Sequence, residues 1–224
     1  MIFFLIFFLI FFFIKNFTIF ALANIKKTEM KQDTKDLILK ESFKLFAWKR
    51  YEQVTVSDLE RVTKLTRGAI FYYMKNKEHL FIEVLDKYML NRNTPQIDGK
   101  TTLLFFIDLF IEQTAKSKKQ MSLLGVKNMN FAYANIANQA IYFYPEFVKL
   151  AKEKEEEELK NWIIVLHNAV QSGEINNTIN VEAVANIFQL IYSGLCNKGI
   201  MLTDGIDLDE MHKSFLCFYD LLKK

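Results

Sequence analysis

Turn formers are what this chain lacks: its 224 residues include 2 prolines and 7 glycines. So few breakers over that length favour long helices over many short strands. With 2 cysteines, a disulfide scaffold and a four-cysteine zinc site are both excluded. The 3 histidines, His79, His167 and His212, stand far apart and suggest no histidine-rich metal centre. No glycine-rich phosphate loop, dinucleotide fingerprint or nucleophile–base–acid pattern occurs. The expectation is a protein that is not an enzyme and carries no metal or cofactor. Disorder and fibrous structure are excluded too, since 51% of the residues are hydrophobic and 25% charged. The length suits one large domain or two small ones sharing a core.

The net charge of +3 is unevenly spread. Residues 31–92 carry 13 Lys and Arg against 9 Asp and Glu, whereas residues 93–224 carry 13 against 16. A basic head before an acidic body suits an anionic partner. Ahead of both, Met1 to Ile14 is wholly apolar, Lys15-Asn16 breaks the run, and Phe17 to Ala23 resumes it. The first stretch falls short of the ~20 residues that cross a bilayer as a helix. The whole of 1–23 reaches that length with one lysine inside. Ala21-Leu22-Ala23 resembles a cleavage site, but no positive charge precedes the apolar run as in an export signal. The run is also built almost wholly from residues with A/T-rich codons, as translated non-coding DNA would be. Met30 stands just ahead of the first amphipathic helix as another start. Mis-assigned start, membrane anchor and export signal stay open, and residues 1–29 are set apart as an apolar extension.

Asp33 or Thr34 is the expected cap of the first helix. Ile38, Ser42, Leu45 and Phe46 then fall on one helical face, with Lys35, Lys40, Lys44 and Lys49 opposite. The helix is expected to end near Arg50-Tyr51. Thr55 or Val54 opens a short second helix with Val56, Leu59 and Val62 inward and Asp58 in its first turns. Thr63-Lys64-Leu65 is a tight break, and Thr66 caps a third helix from Arg67 to about Tyr73. Two short helices so joined suit a helix-turn-helix, whose second helix enters the DNA major groove by its N-terminal residues. Arg67 can grip a guanine edge, Ala69 can touch a thymine methyl, and Gly68 permits close approach. The hydroxyls of Tyr72 and Tyr73 can reach phosphates. Asn76 caps a fourth helix, where free amides and Lys77 make a phosphate site. A plain helical bundle with solvated lysines fits the same periodicity.

Ile38 to Leu80 resembles the DNA-binding domain of the TetR family of transcriptional regulators. The run Ile38-Leu39-Lys40-Glu41-Ser42-Phe43-Lys44-Leu45-Phe46 is similar to the family's first helix, and Tyr51 to Leu59 to the entry of its second. The most specific stretch is Leu65-Thr66-Arg67-Gly68-Ala69-Ile70-Phe71-Tyr72-Tyr73-Met74-Lys75-Asn76-Lys77-Glu78-His79-Leu80. The resemblance implies phosphate and base contacts from Thr55 and Ser57, and base reading by Thr66, Arg67, Gly68 and Ala69. It implies backbone or base contacts from Phe71, Tyr72 and Tyr73, and a phosphate contact from Lys77. The sequence departs from the family at Arg50 and Lys64, where glycine is usual, at Phe71 for a tyrosine, and at Met74 for a phenylalanine. If positions 50 and 64 need positive φ, each non-glycine residue costs on the order of 1 kcal/mol.

Beyond the break at Asn93-Thr94-Pro95 to Gly99-Lys100, Thr101 to Lys116 reads as an apolar helix. Methionines and aromatics crowd residues 119–143, a helix starts at Pro145, and Leu159 to Gln171 closes at Ser172-Gly173. Val181 to Leu202 and Leu208 to Leu222 are two long amphipathic helices. Here the resemblance is weaker; it implies that these two pair across a two-fold axis. The candidate interface is Ile187, Leu190, Ile191, Gly194, Leu195, Phe215, Phe218 and Leu222, though the same stripe suits intrachain core. It also implies a pocket for a small apolar or aromatic ligand, with Phe106, Phe110, Met129, Tyr133 and Tyr142 as lining candidates. Asn135 and Asn138 are further polar candidates there. Such a stripe of aromatics equally fits plain core. Cys196 and Cys217 are expected as buried thiols in a reducing cytoplasm.

The expected architecture is all-α, about nine helices. Residues 30–80 form a three-helix DNA-binding domain and residues 81–224 a helical regulatory and dimerisation domain. The expected partners are operator DNA, a second copy of the chain, and a small ligand that releases a repressor by shifting the spacing of its two heads. The expected location is the cytoplasm, with the nucleoid. Two other readings stand beside this one: a membrane-anchored helical interaction protein, and a TetR-type DNA binder without a small-molecule ligand.

Overall fold

A computed structural model describes residues 28–91 and 97–223. The apolar run over 1–23, with its three competing readings, lies outside the described residues. Nine α-helices occur among the described residues, and no strand. The first, α1, covers 28–48 of the described residues. It therefore starts earlier than Asp33 or Thr34, the caps expected from sequence. The Thr34 hydroxyl donates back to the Met30 carbonyl at 2.8 Å, inside the helix. No proline or glycine stands between residues 28 and 38 to halt the helix, so a polar side chain there need not mark an end.

A 3-10 turn, Tyr51–Gln53, leads to α2 (Val56–Thr63), α3 (Arg67–Tyr73) and α4 (Lys77–Leu85). These pack on the inward face of α1, where Ile38, Phe43 and Phe46 are fully buried with Leu59, Ile70 and Phe81. Two ion pairs tie α1 to α4 and its continuation, Lys35 to Glu83 at 2.9 Å and Lys87 to Asp36 at 2.6 Å. Past Leu85 the helix widens into a π-turn, Asp86–Leu90, with the Asn91 amide donating to the Asp86 carbonyl at 2.8 Å. Such turns are short and often mark functional regions.

The rest comprises α5 (Leu103–Leu123), α6 (Met129–Phe143), α7 (Phe147–Ser172), α8 (Val181–Ile200) and α9 (Leu208–Leu222). Helix α5 thus runs two turns past the expected Lys116, because nothing in Ser117 to Leu123 breaks it. The centre of this part is Trp162. Its ring stacks on Phe188 at 4.5 Å and meets Phe106 at 4.7 Å and Phe215 at 5.7 Å edge-on. The Glu174 carboxylate accepts from the Leu103 and Leu104 amides at the start of α5 and from the Tyr219 hydroxyl, so one side chain ties α5 to α9. Gly173 closes α7 at φ 75°, a conformation suited to glycine.

Helix α6 joins the two parts. The Asn135 side chain donates to the Ala47 carbonyl at 2.7 Å, and that of Gln139 to the Phe46 carbonyl at 3.0 Å. Both carbonyls belong to the last turn of α1, which has no intrahelical donors left. Trp48 stacks on Phe131 at 5.1 Å and Tyr51 on Phe143 at 4.3 Å on the same flank.

Candidate nucleic-acid interface

Three side-chain caps set the geometry of the helix-turn-helix. Thr55 accepts from the Asp58 amide at 3.1 Å, and Asp58 accepts from the Thr55 amide at 3.2 Å, a reciprocal capping box. Thr66 caps α3 through the Ala69 amide at 3.3 Å, and Asn76 caps α4 through the His79 amide at 2.7 Å. The Asp58 carboxylate also pairs with Lys49 at 2.8 Å and Arg61 at 2.9 Å. The Lys49 contact foremost, then Arg61 and Thr55, hold its carboxyl well below the usual carboxylate range. Between α2 and α3, Lys64 sits at φ 60°, the left-handed region, so the departure from glycine falls where a side chain is strained. Arg50, at φ −63°, bears no such strain.

Helix α3 seats itself by Ile70, which is fully buried, and presents its other side to solvent. Arg67, Gly68, Phe71 and Tyr72 are exposed, while Ala69 and Tyr73 are half-buried. Phe71 follows Arg67, and Tyr72 follows Gly68, by four residues, so these residues share one outward face. Thr55, Ser57 and Thr66 are exposed beside that face, although the Thr55 and Thr66 hydroxyls already serve as caps. No carboxylate lies in the first turn of α3, so an arginine leads an outward helix end with no acidic group beside it in that turn.

Lys77 differs from its expected place. Its ammonium donates to the carbonyls of Tyr51, Val54 and Glu52 at 3.0, 3.3 and 3.3 Å and lies 4.5 Å from the Tyr51 ring centre. All three N–H groups are thus used within the chain, holding the entry to α2 against the start of α4. One residue that sequence reasoning missed stands here too: the Lys31 ammonium is 5.4 Å from the centre of the Tyr72 ring. Its only sequence signal was a basic residue, in a stretch read as preceding the first helix.

A cavity of about 1390 Å³ opens between α1, the π-turn, α5, α6, α7 and α8. Phe106, Phe110, Met129 and Tyr133 border it, joined by Thr114 and Tyr192. Tyr142 does not; it is 81% exposed. It follows Tyr133 by nine residues, two and a half helical turns, and so points to the opposite side of α6. Asn135 is occupied by the Ala47 carbonyl, and Asn138 is exposed. Of the cysteines, Cys196 is half-buried on the cavity and Cys217 is exposed, so the expectation of two buried thiols is corrected.

The two terminal helices also divide differently from expectation. Phe215 is fully buried against Trp162 and Phe188, and Leu222 is buried, so both belong to the core of their own chain. Phe218 is half-buried, 4.9 Å from Phe188. Ile191 and Leu195 are half-buried, while Ile187, Leu190 and Gly194 face outward on α8, as Leu221 does on α9.

A family profile described as bacterial regulatory proteins of the tetR family matches residues 38–84. The HTH-type transcriptional regulator QacR of Staphylococcus aureus is 27% identical over 170 residues, covering 72% of this chain and 83% of that protein. The HTH-type transcriptional regulator TtgR of Pseudomonas putida is 21% identical over 196 residues, 80% of this chain and 86% of that one. Among solved structures, that of MexZ, described as a key repressor responsible for antibiotic resistance in Pseudomonas aeruginosa, is similar in fold. Its TM-score is 0.58 at 19% identity, over 86% of this chain and 96% of that one.

Proposed function

The chain belongs to the TetR family of bacterial regulatory proteins, and we propose that a homodimer of it reads a two-half-site operator, one α3 in each major groove. It is a DNA-binding transcription regulator. The observation that carries the finer reading is the outward face of α3, with Arg67 and Gly68 at its start and Phe71 and Tyr72 one turn on. Arg67 is the base reader, since a guanidinium matches the two acceptors of a guanine edge. Thr55, Ser57, Thr66, Ala69 and Tyr73 flank it. The working division is a head over residues 30–80 and a body over 81–224, with α4 crossing from one to the other.

We assign the cavity to a small effector, as befits a repressor released by ligand. Its walls include α1, the π-turn and α6, the elements that carry the head, so an occupant that alters them biases head spacing. The protein works in the cytoplasm on this reading; among the described residues no helix is long and apolar enough to cross a membrane.

The test is a DNA titration of the chain with the fragment upstream of its own gene and with random duplex, at two salt concentrations. Saturable preference for the upstream fragment is expected. Arg67→Ala is expected to cost ~1–3 kcal/mol on that fragment and to relax base preference, with little change on random DNA. Equal losses on both duplexes would remove Arg67 from the reading role.

A further inference from the structure

Helix α1 is already formed at residue 28, ten residues ahead of the family match, and this stretch stands beside the recognition helix. There the Lys31 ammonium stands 5.4 Å from the Tyr72 ring centre, within reach of a cation on an aromatic face. Tyr72 lies one turn beyond Gly68 on the outward side of α3 and is 66% exposed. Hydrogen bonding to the Tyr72 phenol raises the Lys31 pKa above the ordinary lysine value. Two other lysines of α1 are paired within the chain, Lys35 with Glu83 and Lys44 with Glu41, and Lys49 just past its end pairs with Asp58. Lys31 forms no ion pair among the described residues and is exposed.

We propose that Lys31 and Tyr72 together form a phosphate clamp on duplex DNA, gripping the backbone beside the groove that α3 enters. This rests on the DNA-binding reading above and adds to it a contact from outside the family-matched segment. The ammonium and the phenol hydroxyl both donate to one backbone phosphate. Such a contact fixes the register of α3 without reading sequence, and the ammonium displaces one condensed counterion.

A phosphate contact needs no operator, so the probe is a random-sequence duplex, with the upstream fragment alongside, titrated with the full chain over a salt series. Lys31→Ala is expected to weaken binding to both duplexes about five- to tenfold at ~0.1 M salt and to flatten the log–log salt dependence by about one unit. Lys31→Arg is expected to restore both values and Lys31→Gln neither. Tyr72→Phe is expected to cost less in the Lys31→Ala background than in the native chain, as two groups on one phosphate require. An unchanged salt slope in Lys31→Ala overturns the clamp. A loss confined to the upstream fragment also overturns it, because Lys31 would then act on sequence. If the native chain binds neither duplex, the DNA-binding reading itself fails. Lys31 takes no part in the core, and an unchanged melting temperature of the variants confirms that the comparison is between folded proteins.

Discussion

At the scale of single residues, Lys77 shows how a side chain's partners decide its role. An ammonium that has given its donors to three carbonyls within the chain holds the entry to α2 against the start of α4. Lys77→Met keeps the apolar stem and removes the donors. It is expected to lower stability by about 1–2 kcal/mol, in the lower range for hydrogen bonds to a charged group because the site is half-exposed. DNA affinity is expected to fall while the salt slope stays at the native value. A melt and a salt series on the same variant check this; a slope flatter by about one unit would return Lys77 to direct phosphate contact. The sequence displays Lys77 in register with the family motif but not the Tyr51, Glu52 and Val54 carbonyls, because backbone acceptors leave no mark in it. The glycine usual in the family raises positive φ for both Arg50 and Lys64, and the backbone adopts it at Lys64 and not at Arg50.

At the scale of elements, local chemistry was legible and long-range partnership was not. Thr66 and Asn76 cap the helices they were read to cap, and of Thr55 and Val54, the two residues read to open α2, Thr55 is its cap, because a cap depends on amides two or three residues away. The start of α1 was missed, because Asp33 and Thr34 carry the same cap signal whether or not the helix has already begun. The α2 capping box also predicts a pH response. Asp58 is held below its ordinary value by Lys49, Arg61 and Thr55, so its stabilisation is fully present above the unfolded carboxylate value near ~3.9. It is lost as the pH falls from there toward the lower folded-state value. The melting temperature of the native chain is therefore expected to drop as the pH goes from about 5 to about 2. Asp58→Asn, which cannot ionise, is expected to start lower at neutral pH and to fall less steeply. Parallel profiles for the two proteins would show that Asp58 does not govern the acid limb.

At the scale of the whole molecule, amphipathic stripes told which helices have an inner face but not which chain that face meets. Phe215, Phe218 and Leu222 looked like interface residues beside Ile187 and Leu190, yet Phe215 packs against Trp162 and Leu222 is buried within its own chain. What remains outward is a band of Ile187, Leu190 and Gly194 on α8 with Leu221 on α9, where Leu190 is 68% and Leu221 78% exposed. An added Cβ at Gly194 meets nothing within 4 Å in the single chain, so the chain's own packing does not require glycine there. A close-packed partner helix would supply that requirement. Leu190→Glu is accordingly expected to leave the fold and the melting curve of the single chain nearly unchanged while shifting sedimentation from dimer to monomer. A monomer presents one α3, whereas two half-sites about 34 Å apart are gripped together only by a pair. Affinity for the upstream fragment is therefore expected to collapse toward that for random DNA, and the salt slope to fall to roughly half, as half the phosphate contacts are lost. Gly194→Leu is expected to act the same way by holding the partner helices apart. A Leu190→Glu protein that still sediments as a dimer would place the two-fold contact on another face of the molecule, and Leu221 with it.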